Sequence, residues 1–254
     1  MATITEPFQI IMSNITTKTQ KIIITQSNYI PWKGYFDSIA LVDTFILYDD
    51  MQYTRRDWRN RNLIKTSQGL KWLTIPVEVK GKFFQRIRDT KISDKNWVKD
   101  HLKTIQFNYA RASCFKEIFP FLEEIYLQAE KLEYLTEINY LFLRNIADFM
   151  GIHTPLRFCW EYPYTSQDRN ERLLQICQLA GATDYYSGPA AQNYMDVELF
   201  QKSNIQVYWL DYSGYPEYPQ LYPPFEHGVS IIDLLLNAGK EAPKYLKHIK
   251  YAKN

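Results

Sequence analysis

The sequence is poor in the residues that mark several common kinds of protein. Its three cysteines, Cys114, Cys159 and Cys177, show no Cys-x-x-Cys spacing. Neither a disulfide framework nor a zinc site is indicated, and a reduced, cytoplasmic setting is expected. No apolar run approaches the roughly 20 residues of a membrane span. Residues 1–20 are polar and Thr-rich, without the basic stretch and apolar core of a secretory signal, so a flexible N-terminal extension is expected there. There is no Walker motif, no Gly-x-Gly-x-x-Gly, no metal-ligand spacing and no internal repeat. Thirty basic side chains face 28 acidic ones, a net charge of +2, which gives no support to nucleic-acid binding.

Aromatic residues are abundant instead. Twenty Tyr, 14 Phe and 6 Trp make 16% of the chain, so ring surface must fill much of the core, and covered Tyr hydroxyls need partners. Stacking on sugars or bases is the rarer use of such rings.

The order of patterns predicts an α/β fold. "KIIITQ" (21–26) is a short buried run, "KGYFDSIALV" (33–42) has helical spacing, and "TFILYDD" (44–50) is a second buried run. Together they form a βαβ unit and imply a parallel pair of strands. "NLIKT" and "KWLTIPV" flank Ser67-Gln68-Gly69, a hairpin signal, and "FFQRIRDTKI" is a candidate additional strand. From Asn96 the periodicity is helical to Gly151, with a break expected at Pro120. Strand and helix patterns then alternate to Gly239. The expectation is one α/β domain over 21–254, with a mainly parallel, Rossmann-like sheet and a helical segment inserted at about 95–150.

Ligands of such sheets are met at the carboxyl ends of the strands. That edge carries Gln26, Asn28 and Gly34 after the first strand, and Asp49, Asp50 and Gln52 after the second. Strand alternation lets one of the two aspartates face a ligand, while the other caps or turns the chain. Tyr29, Trp32, Tyr35 and Phe36 surround Pro31 and Gly34, either as the wall of a crevice or as a packed corner. "RRDWRNRN" sets Arg59, Asn60 and Arg61 beside the same edge. Guanidinium forks suit phosphate or carboxylate, although arginines in a loop more often pair with surface acids. Ser187 and Gly188 follow a later strand, and Arg169 and Arg172 share a side of the helix before it. His101 is a lone helical histidine, a kind more often satisfied in a core than functional. Ser230 and Asp233 have capping-box spacing at a helix start.

As a set, "QSNYIPWKGYFD", "DTFILYDDMQY", "WRNRNLIK", "KWLTIPV", "DYYSGPAAQNYMD" and "GVSIIDLLLNAG" resemble the WbqC-like protein family, from about Lys21 to Gly239. Ser27 stands where the family pattern has proline. The resemblance implies a bacterial role in surface-polysaccharide or amino-sugar biosynthesis. The beginning of the chain also has a distant likeness to adenylyl-transferring enzymes of the HIGH superfamily. Their His-x-Gly-His would fall on Trp32-Lys33-Gly34-Tyr35, which keeps the glycine and lacks both histidines.

The leading expectation is an acyl- or aminoacyl-transferase acting on a nucleotide-linked amino sugar. Asp49 or Asp50, with Gln52, would do the proton work. The substrate would be bound by Gln26, Asn28, Tyr29, Trp32, Gly34, Tyr35, Arg59, Asn60, Arg61, Arg172, Ser187 and Gly188. An ATP-dependent ligase or nucleotidyltransferase and a non-catalytic nucleotide-sugar-binding module stay open beside it. The partner is a small anionic molecule, no cofactor is specified, and the surface aromatics leave homodimerisation open.

Overall fold

The computed structural model describes residues 19–249, so most of the extension expected over residues 1–20 lies outside the described residues. Strand β1 (Lys21–Thr25) leads through helix α1 (Lys33–Leu41) to β2 (Thr44–Leu47). A hairpin follows, β3 (Arg61–Thr66) and β4 (Gly69–Thr74), and then helices α2 (Trp97–Tyr109), α3 (Phe115–Ala129) and α4 (Leu135–Phe149). The chain returns to the sheet with β5 (Leu156–Phe158), α5 (Arg169–Leu179), β6 (Asp184–Ser187), α6 (Val197–Gln201) and β7 (Gln206–Trp209). Helix α7 (Ile231–Ala238) closes the series.

Five strands form one parallel sheet in the order β5-β2-β1-β6-β7. The fold is α/β, as the alternating patterns imply. The chain builds outward from β1 in one direction and then restarts beside it with β6. This places the topological switch point between β1 and β6. The hairpin and helices α2 to α4 are carried within the crossover from β2 to β5.

Strand alternation divides the core. Ile23, Phe45 and Leu47 point to the face covered by α1, the three central helices and α7, and Ile22, Ile24, Ile46 and Tyr48 point to the face covered by α5 and α6. Each of these isoleucines is at least nine-tenths buried and contributes about 2 kcal/mol by leaving water.

Local chemistry sets the ends of several elements. Gly151 and Gly181 adopt φ of 74° and 68° just past α4 and α5, a left-handed conformation that costs glycine little. Ser230 caps α7 by accepting from the Ile232 amide, whereas Asp233 bonds Tyr109 and Tyr218 instead of closing a capping box. Two readings of the sequence are corrected. "FFQRIRDTKI" forms a single 3-10 turn at Ile87–Asp89 with isolated bridges, so it adds no strand. Pro120 does not break its helix, because α3 runs through it with the ring on the exposed side.

Candidate functional site

A cavity of about 500 Å³ opens at the switch point, within the ~300–1,000 Å³ usual for small-ligand sites. Gln26 after β1, Ser187 at the end of β6 and Gly188 after it form its floor. Tyr48 and Met51 come from the end of β2, Ser38 from α1, Arg169 and Leu173 from α5, and Leu210 and Tyr212 from the segment after β7. Arg59 reaches in from the loop before the hairpin. The strand ends therefore converge as the edge rule requires.

Arg59 is held from behind. Its Nη1 donates to the carbonyls of Gln26 (3.3 Å) and Ser27 (3.2 Å) and to Asn28 Oδ1. Its nearest carboxylate, Asp57, is 3.7 Å away, and the side chain is only 14% exposed. Arg169 opens α5 with its guanidinium 4.5 Å above the Tyr194 ring. It has no ion pair among the described residues. The helix start beside it is satisfied by Asp168, which accepts from the amides of Asn170 and Glu171.

Tyr48 adds its ring to the wall. The side chain is buried, and among the described residues its hydroxyl has no hydrogen bond of good geometry, although the Arg172 guanidinium lies close to it. Burial raises its pKa to about 12 despite the favourable charge of Arg172 nearby, so the hydroxyl stays protonated at neutral pH.

The aspartates singled out in the sequence lie elsewhere. Asp49 is fully buried on the α4 side of the sheet. Its carboxylate accepts from the Ser27 amide (2.8 Å), Ser27 Oγ (2.7 Å) and Thr136 Oγ1 (2.5 Å). Burial raises its pKa, against those hydrogen bonds. Asp49 thus ties β2, the β1 turn and α4 together, and it does not line the cavity. Asp50 turns outward to Arg88 (2.9 Å), Arg86 (3.4 Å) and the Tyr164 hydroxyl (2.5 Å). Gln52 is exposed and donates to the Phe83 carbonyl.

The aromatic corner divides in the same way. Tyr29 is a core residue whose hydroxyl meets His101 Nδ1 (2.9 Å) and Tyr126 (2.6 Å). Tyr35 is buried and donates to the Gln26 carbonyl (3.0 Å), bracing the cavity floor from behind. Trp32 packs against Tyr212 and Tyr215 and walls a separate cavity with Trp58. A methyl group on Gly34 would lie 2.2 Å from the Trp32 ring, so this glycine makes room for the indole. Asn60 is buried and donates to the Ile75 carbonyl. Arg61 bonds the Arg56 carbonyl and lies 4.0 Å over Trp72. Arg172 donates to the carbonyls of Ser166 and Gln167, behind the cavity wall.

Of the residues the sequence pointed to, Gln26, Arg59, Ser187 and Gly188 are brought together, with Arg169 beside them. Tyr48 and Tyr212 escaped notice. Tyr48 carries a usable signal, since it stands one position before Asp49 and alternation turns it to the opposite face. Tyr212 carries none, because it follows the last strand in an irregular segment.

A five-stranded parallel sheet whose strand ends converge on an open cavity at the switch point defines the class: an α/β protein. The WbqC-like protein family model matches residues 26–245, and the chain belongs to that family. It is 52% identical over 231 residues to an uncharacterized protein of Mycobacterium tuberculosis, Rv1507c, covering 91% of this chain and 99% of that one. No solved structure matches the chain. Among the described residues no helix is long and apolar enough to cross a membrane.

Proposed function

We propose that this WbqC-like protein binds a nucleotide-linked amino sugar in the switch-point cavity and serves surface-polysaccharide or amino-sugar biosynthesis by acyl or aminoacyl transfer onto that ligand. One observation carries the reading. Among the described residues, the only charged side chains lining the cavity are Arg59 and Arg169. A diphosphate meets two guanidiniums there, and the Tyr194 and Tyr212 rings flank the sugar or base.

Among the described residues the cavity lining holds no carboxylate, histidine, cysteine or lysine. Asp49 and Asp50 lie outside it, so this cavity contributes binding and orientation. The same observation favours a second reading, a nucleotide-sugar-binding module without turnover. An ATP-dependent ligase has less support, because Trp32 and Tyr35 stand where the His-x-Gly-His of such enzymes has its two histidines.

A thermal-shift screen of nucleotide sugars, free nucleotides and acyl carriers tests the binding step. A ligand at about 100 times its Kd stabilises by about 2.7 kcal/mol, a shift of several degrees for a chain of this size. Nucleotide sugars should stabilise the protein, and Arg59→Ala should abolish the shift. Stabilisation by none of them, or an Arg59→Ala protein that responds like the wild type, refutes the reading. Incubating the bound sugar with an acyl thioester separates transferase from module: acylated product appears by mass spectrometry in the first case only.

A further inference from the structure

A second cavity, of about 310 Å³, adjoins the first, and the two share Ser38, Leu210 and Tyr212 as lining. It contains a titratable pair of the kind the first one lacks. Asp37, on α1, is 1% exposed. Its carboxylate accepts from the Tyr215 hydroxyl and from the backbone amides of Lys247 and His248, each at 2.7 Å. His248 Nδ1 lies 2.7 Å from the same carboxylate. With Asp37 accepting, Nδ1 bears the proton in this bond, so the tautomer that can accept a proton does so at Nε2. Nε2 has no partner among the described residues, and the His248 side chain is 37% exposed at the cavity.

The two amide bonds and the tyrosine already anchor the C-terminal segment to α1. The imidazole bond adds a fixed tautomer and ring direction, the arrangement by which a buried carboxylate prepares a histidine to accept a proton. Other charged groups here are engaged elsewhere. Lys247 Nζ donates to the carbonyls of Asp211 and Ser213, and Asp211 lies 3.9 Å from it. Lys33 Nζ donates to the Pro216 carbonyl.

We infer that His248 is the catalytic base of the site and Asp37 its positioning residue, with the second cavity seating the reacting amine of a ligand held in the first. The inference rests on the nucleotide-sugar reading above. In the transfer step the amine nitrogen bonds to the acyl carbon of an acyl thioester, and the carbon–sulfur bond breaks. The proton lost by nitrogen passes to His248 Nε2 and then to the departing thiolate.

Diethylpyrocarbonate labelling of the full chain, read by peptide mass spectrometry, tests the pair without needing turnover. His227, which is exposed and has no acidic partner among the described residues, is the internal reference. His248 should react severalfold faster than His227 although it is the less exposed, and Asp37→Asn should remove that advantage. The wild-type comparison stands even if the variant fails to fold. Equal or slower labelling of His248 overturns the dyad. UDP-glucosamine, added to saturation, should protect His248. Thermal stabilisation by this ligand without protection overturns the placement of the base beside the ligand. Absence of stabilisation counts against the nucleotide-sugar reading, and the ligand-free comparison then decides the dyad by itself.

Discussion

Acidification should destabilise this protein through His101, a residue remote from the candidate site. Its Nε2 lies 3.2 Å from the Thr74 carbonyl, which can only accept, so Nε2 carries the proton. Nδ1 then accepts from the Tyr29 hydroxyl, which in turn accepts from Tyr126. The ring is 5% exposed and packs among Trp97, Tyr29 and Tyr126. Burial lowers its pKa from 6.5 to about 4, with the Thr74 bond opposing the shift. Between those values the unfolded chain binds a proton that the folded chain refuses. Stability therefore falls as pH drops from 6.5 toward 4, and the full effect is about 3 kcal/mol at about 1.4 kcal/mol per pKa unit. Buried Asp49 and Asp233 have raised pKa values and act in the opposite sense, since each gains stability when protonated. A difference measurement isolates the histidine. Urea unfolding of wild type and His101→Gln at pH 7.0, 5.5 and 4.5 should show the variant less stable at pH 7 but losing less on acidification. Parallel losses in the two proteins would refute the reasoning, as would an NMR titration placing His101 near 6.5.

Two further predictions concern the site. Gly34→Ala sets a methyl 2.2–2.7 Å from three Trp32 ring atoms. The indole must move, and overpacking of about 1–3 kcal/mol should outweigh the gain in helix propensity of up to about 1 kcal/mol. Displacing Trp32 also frees Tyr212, so tryptophan fluorescence and ligand affinity should change together, and unchanged fluorescence would contradict the packing argument. Tyr48→Phe removes a buried hydroxyl without a partner, so urea stability should be kept or slightly raised. A marked loss of stability would show that the hydroxyl serves the fold.

The fold was legible because its signals are local. "KIIIT" and "TFIL" are continuous apolar runs because both sheet faces are covered, and the helix between them fixes their parallel pairing. The helical stretch from Asn96 to the Gly151 stop follows from periodicity, but its divisions after Tyr109 and Ala129 carry no glycine, and Pro120 lies inside α3. "FFQRIRDTKI" misled because alternation of apolar and polar residues also suits a segment that makes only isolated bridges, to Gln52, Val77 and Tyr134, outside the strands. Site residues were legible where they stand at a strand end, as Gln26, Ser187 and Gly188 do, or in the arginine-rich loop, as Arg59 does. Asp49 shows the limit. Its position one residue beyond the second apolar run was read correctly as a strand end, but its role depends on Thr136 and Ser27 approaching from other elements, 87 and 22 residues away. Asp37 and His248 stand 211 positions apart, with nothing in the spacing to relate them. A carboxylate in an apolar helix face was the one available hint. Burying Asp37 is tolerable only if donors converge on it, and searching for those donors leads to the C-terminal histidine. In a chain this rich in tyrosine, a buried aspartate usually finds a phenol. Asp233 has Tyr109 and Tyr218, and Asp37 has Tyr215. An imidazole at Asp37 is the departure from that habit, and it occurs beside the cavity where a proton acceptor would be needed.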